Sequence, residues 1–219
     1  MTDLIKRYKT LFLGLIAIFV LCCSIQPCYA QSGIKYSKEE RKIFDNEFSK
    51  YKLSDGDTLV DIGAGSGIND EFIFKFYPNA YFILEDIKPG YLKKSKYHIK
   101  IGRQKVYFKN RSVKILGRQD TIPLPSGKYK NVLCRTTLHE FDYPDRMLQE
   151  IKRIMSVDGQ FIIVERIPKF EGEIESGCKY RMLTKAQITT LLEKNGFTLI
   201  SADLFTEEGE AANILRFRK

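Results

Sequence analysis

The sequence predicts one α/β domain built on a largely parallel sheet, set behind an N-terminal leader. From residue 36 onward, helix-type and strand-type patterns alternate, which is the order produced when crossover helices join parallel strands. The chain has 219 residues, 43% hydrophobic and 29% charged, a composition that suits one core of ordinary size. A glycine-rich loop directly after the first strand marks the place where such a sheet usually meets a ligand.

Lys6, Arg7 and Lys9 precede an uncharged apolar run from Leu11 to Cys23. The run is shorter than the roughly 20 residues a membrane-spanning helix needs. Pro27 breaks any helix after it, and Cys28-Tyr29-Ala30 offers small residues to a signal peptidase, so residues 1–30 read as a signal peptide cleaved after Ala30. The domain, residues 31–219, is then expected to be exported, periplasmic or secreted. The alternative is an uncleaved signal anchor with the domain still outside the cytoplasm, because the basic flank holds the N-terminus inside in both cases. Leu21 and Cys22 are larger than the residues that normally precede a lipidated cysteine.

Ser37-Lys38-Glu39-Glu40 reads as a capping box, and Ile43, Phe44, Phe48 and Tyr51 recur at helical spacing, giving a first helix that ends near Leu53. Asp55-Gly56-Asp57 turns the chain into the first strand, Thr58 to Ile62. After the glycine loop a short helix begins at Asn69, with Asp70 and Glu71 in its first turn. Further strands are expected over Tyr81 to Glu85, Val113 to Leu116, Asn131 to Cys134 and Phe161 to Glu165, each short and rich in β-formers. A helix over Pro144 to Met155 places Leu148, Ile151, Ile154 and Met155 on one face. Another follows Thr184, carries Ile188, Leu191 and Leu192, and stops at Asn195-Gly196. Strands near Thr198 to Asp203 and Asn213 to Phe217 close the sheet. No repeat, low-complexity tract or second domain is visible.

Three of the five cysteines fall in the leader, so the domain keeps Cys134 and Cys178, which is no disulfide framework. Cys134 lies in an apolar strand and reads as a small buried hydrophobe; a bond to Cys178 is the one pairing left open. The histidines are His98 and His139, whose spacing from the cysteines matches no zinc site, and no metal is expected.

The stretch Leu59-Val60-Asp61-Ile62-Gly63-Ala64-Gly65-Ser66-Gly67 alternates glycines between a buried strand and a helix, where backbone can approach a ligand closely. Dinucleotide enzymes place G-x-G-x-x-G here. In this chain the third glycine, Gly67, comes one residue early, and Ile68 holds the position that fingerprint reserves for glycine, so a nicotinamide oxidoreductase fits poorly. An acid, Asp61, stands two residues before the first glycine. This D-x-G-x-G-x-G pattern resembles motif I of the class I S-adenosylmethionine-dependent methyltransferases. The resemblance continues through Asp86-Ile87-Lys88-Pro89, Leu116-Gly117 to Asp120, Ile122-Pro123-Leu124-Pro125, Leu138-His139-Glu140-Phe141, Arg153-Ile154-Met155 with Gly159, and Asn195-Gly196-Phe197. It spans about residues 50 to 217.

The resemblance implies a Rossmann-like, doubly wound, mostly parallel seven-stranded sheet with S-adenosyl-L-methionine as cofactor. Gly63, Ala64, Gly65 and Gly67 would cradle its methionine part, and Asp61 would hold the loop and the methionine amine. Asp86, with Glu85 as fallback, would bind the ribose. Ile87 would lie on adenine, Gln119 or Asp120 would meet its amino group, and Arg135 would stand beside the reacting methyl. Two departures are Lys130, where the family often has Asp before its fourth strand, and Arg118, where an acid commonly opens the adenine turn.

A sulfonium methyl is already activated, so transfer needs mainly a nucleophile held in line in a water-poor site. A base helps only for acceptors such as a hydroxyl, and His139 is the candidate, ahead of Glu140. Between Ile87 and Gln119 lie eleven Lys or Arg and no acid, more than the whole net charge of +9, so the basicity is local. Tyr91, Tyr97, Tyr107 and Phe108 interleave with it. The segment 88–118 reads either as a solvated helical face or as a contact for an anionic surface or membrane; nucleic acid is not the expected partner. A second function class follows from it: an exported, non-catalytic binding module that keeps the fold and works through this segment.

Overall fold

The computed structural model describes residues 38–91, 93–207 and 210–219. The expected leader, its cleavage site and Ser37 of the expected capping box lie outside these residues. Among the described residues no helix is long and apolar enough to cross a membrane.

The elements run α1 (Lys38–Ser49), β1 (Thr58–Ile62), α2 (Ile68–Phe76), β2 (Tyr81–Asp86), β3 (His98–Ile101), β4 (Gln104–Tyr107), β5 (Ser112–Leu116), β6 (Tyr129–Arg135), α3 (Pro144–Ile154), β7 (Met155–Arg166), α4 (Lys185–Lys194), β8 (Thr198–Glu207) and β9 (Glu210–Arg218). Seven strands form one sheet in the order β5-β2-β1-β6-β7-β9-β8. The first five are mutually parallel, and β9 pairs antiparallel with both β7 and β8. This is the doubly wound, mostly parallel sheet the sequence implies.

Two cores explain why the central strands read as continuous apolar runs instead of alternating. Val60, Ile62, Val132, Cys134, Phe161 and Ile163 face α3 and α4, where they meet Met147, Leu148, Ile151, Ile188 and Leu192. Leu59, Leu84, Leu133, Ile162 and Val164 face the other way and meet Phe44 and Phe48 of α1 and Ile73 and Phe74 of α2. Successive residues thus serve opposite layers, and one strand needs apolar side chains throughout.

Local signals set the ends. The Thr184 hydroxyl accepts from the N–H of Gln187, whose side chain accepts from the N–H of Thr184, starting α4 with a complete capping box; Gly196, at φ +76°, follows its end. Helix α1 stops at Ser49, earlier than the expected Leu53. The Lys50 and Tyr51 N–H groups bond Glu47 and Phe48 carbonyls at 3.0 Å each, tightening the last turn before Lys52 turns left-handed.

The basic segment is not a helical face. Strands β3 and β4 form a separate antiparallel hairpin around a two-residue Gly102-Arg103 turn, with Gly102 at φ +59°. Its half-buried Ile99 and Val106 lean on the α1/α2 core, while Lys100, Arg103 and Lys105 point to solvent. Cys134 and Cys178 are both free thiols, so the pairing left open by the sequence is not made.

Candidate active site

In a doubly wound sheet the loops leaving two adjacent strands part in opposite directions where the strand order reverses, and the crevice between them binds ligands. Here that place is the C-terminal end of β1 and β6. The loop after β1 alternates three left-handed glycines, Gly63, Gly65 and Gly67, at φ +73°, +57° and +78°. Only two have tightly filled surroundings: a side chain on Gly63 would strike Thr137, and one on Gly67 would come within 2.7 Å of Leu84. Around Gly65 there is nothing within 4 Å, an open face on a strained backbone.

The loop is braced from β2. The Gly63 and Ala64 amides donate to the Glu85 carbonyl at 3.0 and 2.9 Å. Asp86 accepts from the Gly65 amide at 2.9 Å and from the Lys88 amide at 2.7 Å, so the expected ribose acid also shapes the glycine turn. Below the loop three acids are buried: Asp61 on β1, Asp70 in the first turn of α2 and Glu85 on β2. Asp61 Oδ1 and Glu85 Oε1 lack a hydrogen-bond donor, and Asp70 has none beyond Asp61 and its own backbone amide. Burial, and then the facing Asp70, raises Asp61 well above the usual carboxylate range; burial raises Asp70 and Glu85 to about 7. Sequence reading left Asp70 without a role, because an acid at a helix N-terminus ordinarily interacts with the helix dipole in solvent.

On the adenine side, Ile87 is 43% exposed just past β2, and Leu116 is 49% exposed at the end of neighbouring β5, giving an apolar rim. Gln119 and Asp120 lie in the turn closed by the bond from the Arg118 N–H to the Thr121 carbonyl, and both already have partners: Gln119 donates to Asp142 at 2.5 Å, and Asp120 accepts from Arg146 at 3.4 Å. Lys114 leaves the basic surface and turns inward, donating to the Ser66 and Tyr91 carbonyls at 2.6 and 2.9 Å. Burial lowers its pKa.

The exit of β6 brings a second group together. Arg135 does not stand free beside the crevice: its guanidinium makes a buried two-point pair with Glu47 of α1, 3.0 Å at each contact. Thr136 follows at φ +50°, a costly conformation for a β-branched residue, and swings Thr137 onto the Gly63 carbonyl at 3.2 Å. The next turn presents His139. Its Nδ1 lies 2.8 Å from Glu165 Oε2 at the end of β7, its amide donates to Glu165 Oε1 at 3.4 Å, and its Nε2 lies 3.3 Å from Cys178 Sγ. The imidazole and the Glu165 carboxylate are 3% and 4% exposed. Burial opposes the imidazolium, but the hydrogen bond and charge of Glu165 outweigh it and raise the His139 pKa. Burial, Glu140 and Glu175 together raise the Cys178 thiol. Both ring nitrogens are engaged, and the base role expected of His139 requires the thiol to give way.

The family profile described as a methyltransferase domain matches residues 53–211. Among solved structures, a SAM-dependent methyltransferase from Aquifex aeolicus superposes with a TM-score of 0.63 at 14% identity, over 84% of this chain and 100% of that one. A methyltransferase-fold protein from Bacillus halodurans superposes at 0.61 and 14% identity, over 84% of this chain and 99% of that one. The cyclase SpnF does so at 0.64 and 14%, over 87% and 86%, so the fold alone does not name a reaction. A malonyl-acyl-carrier-protein O-methyltransferase of Laribacter hongkongensis is 28% identical over 102 residues, 46% of this chain; the chain spans about a third of that relative's length, 34%. With its sheet order, its motif I loop and a profile match over most of its length, the chain belongs to the methyltransferase domain family, of the class I type.

Proposed function

We propose that the domain binds S-adenosylmethionine across the β1/β6 crevice and transfers its methyl group to an acceptor that enters over the β6 and β7 ends. The carrying observation is the pair of unmatched, buried carboxylate oxygens Asp61 Oδ1 and Glu85 Oε1 at the base of the glycine loop, whose Gly65 has nothing within 4 Å of where a side chain would start. Buried acceptors without donors are costly, and a ligand bringing an amine and ribose hydroxyls would supply the missing donors. The residues present fit that ligand. Asp61 would take the amine, Glu85 and the remaining lone pairs of Asp86 the ribose, and Ile87 with Leu116 the faces of adenine. Gln119 and Asp120 can reach an adenine amino group only by exchanging their present partners. When bound, the sulfonium supplies a methyl needing no further activation, so the chain's own task is to hold the acceptor in line and exclude water.

Calorimetry with S-adenosylmethionine, S-adenosylhomocysteine and NAD tests this reading. Asp86→Ala removes charge-assisted hydrogen bonds of about 1.5–3 kcal/mol each, so affinity should fall at least tenfold, a factor worth about 1.4 kcal/mol. Because Asp86 also braces the loop, Gly65→Val is the second arm: it keeps that acid but fills the open face and strains the left-handed turn at φ +57°, and should abolish binding. No heat with either adenosyl ligand in folded protein, or tighter binding of NAD, would overturn the proposal.

The exposed lysines of residues 88–118 support a further reading, that this face holds the domain against an anionic surface. Tyr91 and Tyr107 already lie under Lys88 and Lys109, at 5.7 and 5.3 Å, which argues against their serving as stacking platforms for bases.

A further inference from the structure

His139, Glu140 and Cys178 each offer one potential ligand atom, and those atoms all lie within 4.8 Å of one another. The three come from two distant parts of the chain. His139 and Glu140 occupy the short turn Leu138–Glu140 after β6. Cys178 lies in a tight turn between β7 and α4, pinned by the Glu175 amide on the Tyr180 carbonyl at 2.8 Å and the Lys179 amide on the Glu175 carbonyl at 2.9 Å. An isolated bridge between Ile174 and Arg181 closes the same turn.

We propose that His139 Nε2, Cys178 Sγ and the Glu140 carboxylate form a binding site for a divalent transition-metal ion of the zinc class. Ligand type comes first: imidazole, sulfur and carboxylate together suit zinc and its neighbours and are a poor set for magnesium or calcium, which prefer oxygen alone. Spacing comes second. Metal–sulfur and metal–nitrogen bonds of roughly 2.3 and 2.0 Å at a tetrahedral angle put sulfur and nitrogen roughly 3.5 Å apart. The structure has them at 3.3 Å, close enough that a small movement admits the ion.

The third argument is the hydrogen bond behind the ring. A metal-binding histidine nearly always gives its other N–H to a carboxylate or carbonyl, which fixes the tautomer and leaves the ligating nitrogen bare. His139 has this arrangement: Nδ1 is 2.8 Å from Glu165, so in the neutral ring that a metal requires the proton sits on Nδ1 and Nε2, 3.3 Å from the sulfur, offers its lone pair. Glu165 also holds the His139 amide, fixing ring and backbone from one side chain. Without an ion the Cys178 thiol lies between the His139 ring and the Glu140 carboxylate; replacing its proton by a metal ion would keep the same three groups together.

Three protein ligands leave a fourth tetrahedral position open, for water or for a hydroxyl or thiol of another molecule, whose proton the ion would make easier to lose. The site stands at the same end of the sheet as the glycine loop. Its use on a methyl acceptor rests on the proposed methyl transfer, whereas metal binding does not.

The test uses the full-length chain without an affinity tag, with Cys22, Cys23 and Cys28 changed to Ser so that only the domain's two thiols can respond, stripped with chelator and titrated with Co²⁺ and then Zn²⁺. The wild type should show a sulfur-to-cobalt charge-transfer absorption that Zn²⁺ displaces. Cys178→Ser should lose that absorption, and His139→Gln and Glu140→Gln should each weaken binding at least tenfold. Glu165→Gln, which removes no ligand, should weaken it about 10- to 100-fold. Melting curves in chelator establish that each variant is folded, and Cys134→Ser serves as the thiol control that keeps the absorption. Absence of the absorption in wild type, or its full persistence in Cys178→Ser, overturns the proposal, as does unchanged Zn²⁺ affinity in both Glu140→Gln and Glu165→Gln. Calorimetry with S-adenosylhomocysteine on the same samples separates failure of this site from failure of the cofactor reading.

Discussion

Replacing Asp70 by Asn should make the domain more stable at alkaline pH and leave it nearly unchanged in acid. Asp70 is completely buried, and beyond Asp61 and its own backbone amide no group donates to it. Asp61 of β1 faces it, with Glu85 of β2 behind; the opposing cations are Lys114 of β5 and Arg135 of β6. Burial dominates and raises the Asp70 pKa from 3.8 to about 7. The folded state therefore keeps a proton that the unfolded chain releases, and stability falls as pH rises from about 4 to about 7, then levels off. That rise in pKa corresponds to about 4 kcal/mol once both states are ionised. Asn has nearly the same shape, carries no charge and offers an N–H to Asp61. The variant should match wild type near pH 4 and exceed it by about 2–4 kcal/mol at pH 8. Urea unfolding of both proteins at half-unit steps of pH gives the difference directly and cancels the titrating groups remote from Asp70; Asp61, which faces it, contributes to the difference. A difference flat across that range, or one growing toward acid, would refute the reasoning. Saturating S-adenosylhomocysteine should narrow the gap, because its amine favours the ionised pair that only the wild type can form.

Glu47→Ala leaves the buried Arg135 guanidinium without its carboxylate and the Tyr51 hydroxyl without its acceptor, so unfolding in denaturant should show a loss of about 3–5 kcal/mol. Ile151→Ala empties a fully buried site under α3, and its unfolding free energy should drop by about 2–5 kcal/mol. Changing the exposed Lys93, Lys94, Lys96 and Lys100 to Gln should reduce retention on phosphatidylglycerol vesicles at low salt while leaving the melting temperature unchanged. Equal retention of the two proteins would make the segment an ordinary solvated surface.

The sheet was readable because its signals are local. Thr58 to Ile62 carries apolar residues on both faces, Leu59 and Val60 serving opposite layers, and Thr184 and Gly196 bracket α4 with chemistry that acts within a few residues. The hairpin at 98–107 carries an equally local signal, Ile99 and Ile101 alternating with His98 and Lys100 before a Gly-Arg turn, but the density of lysine masks it. Lysine is poor in strands, yet its flexible charged head costs little on an outer face, and only the inward pair Ile99 and Val106 has to be apolar.

The site divides along the same line. Motif I could be found because five consecutive residues must leave one strand, turn three times through left-handed backbone and enter a helix, which forces glycine at fixed spacing. Carrying a position over from a family, however, places a Cα and not the partner of its side chain. Arg135 occupies the expected place at the end of β6, but its guanidinium meets Glu47, 88 residues earlier, a contact that no local pattern announces. The same holds for Asp61 with Asp70, one in the motif and one in the helix after it, which face each other only because α2 starts directly after Gly67. It holds most strongly for His139, Glu165 and Cys178, which belong to a turn, a strand end and a loop. Spacing along the chain detects metal and acid–base sites when one element supplies several members. When each member arrives on a different element, the sheet order must be known first, and here adjacent β6 and β7 bring His139 and Glu165 to one edge.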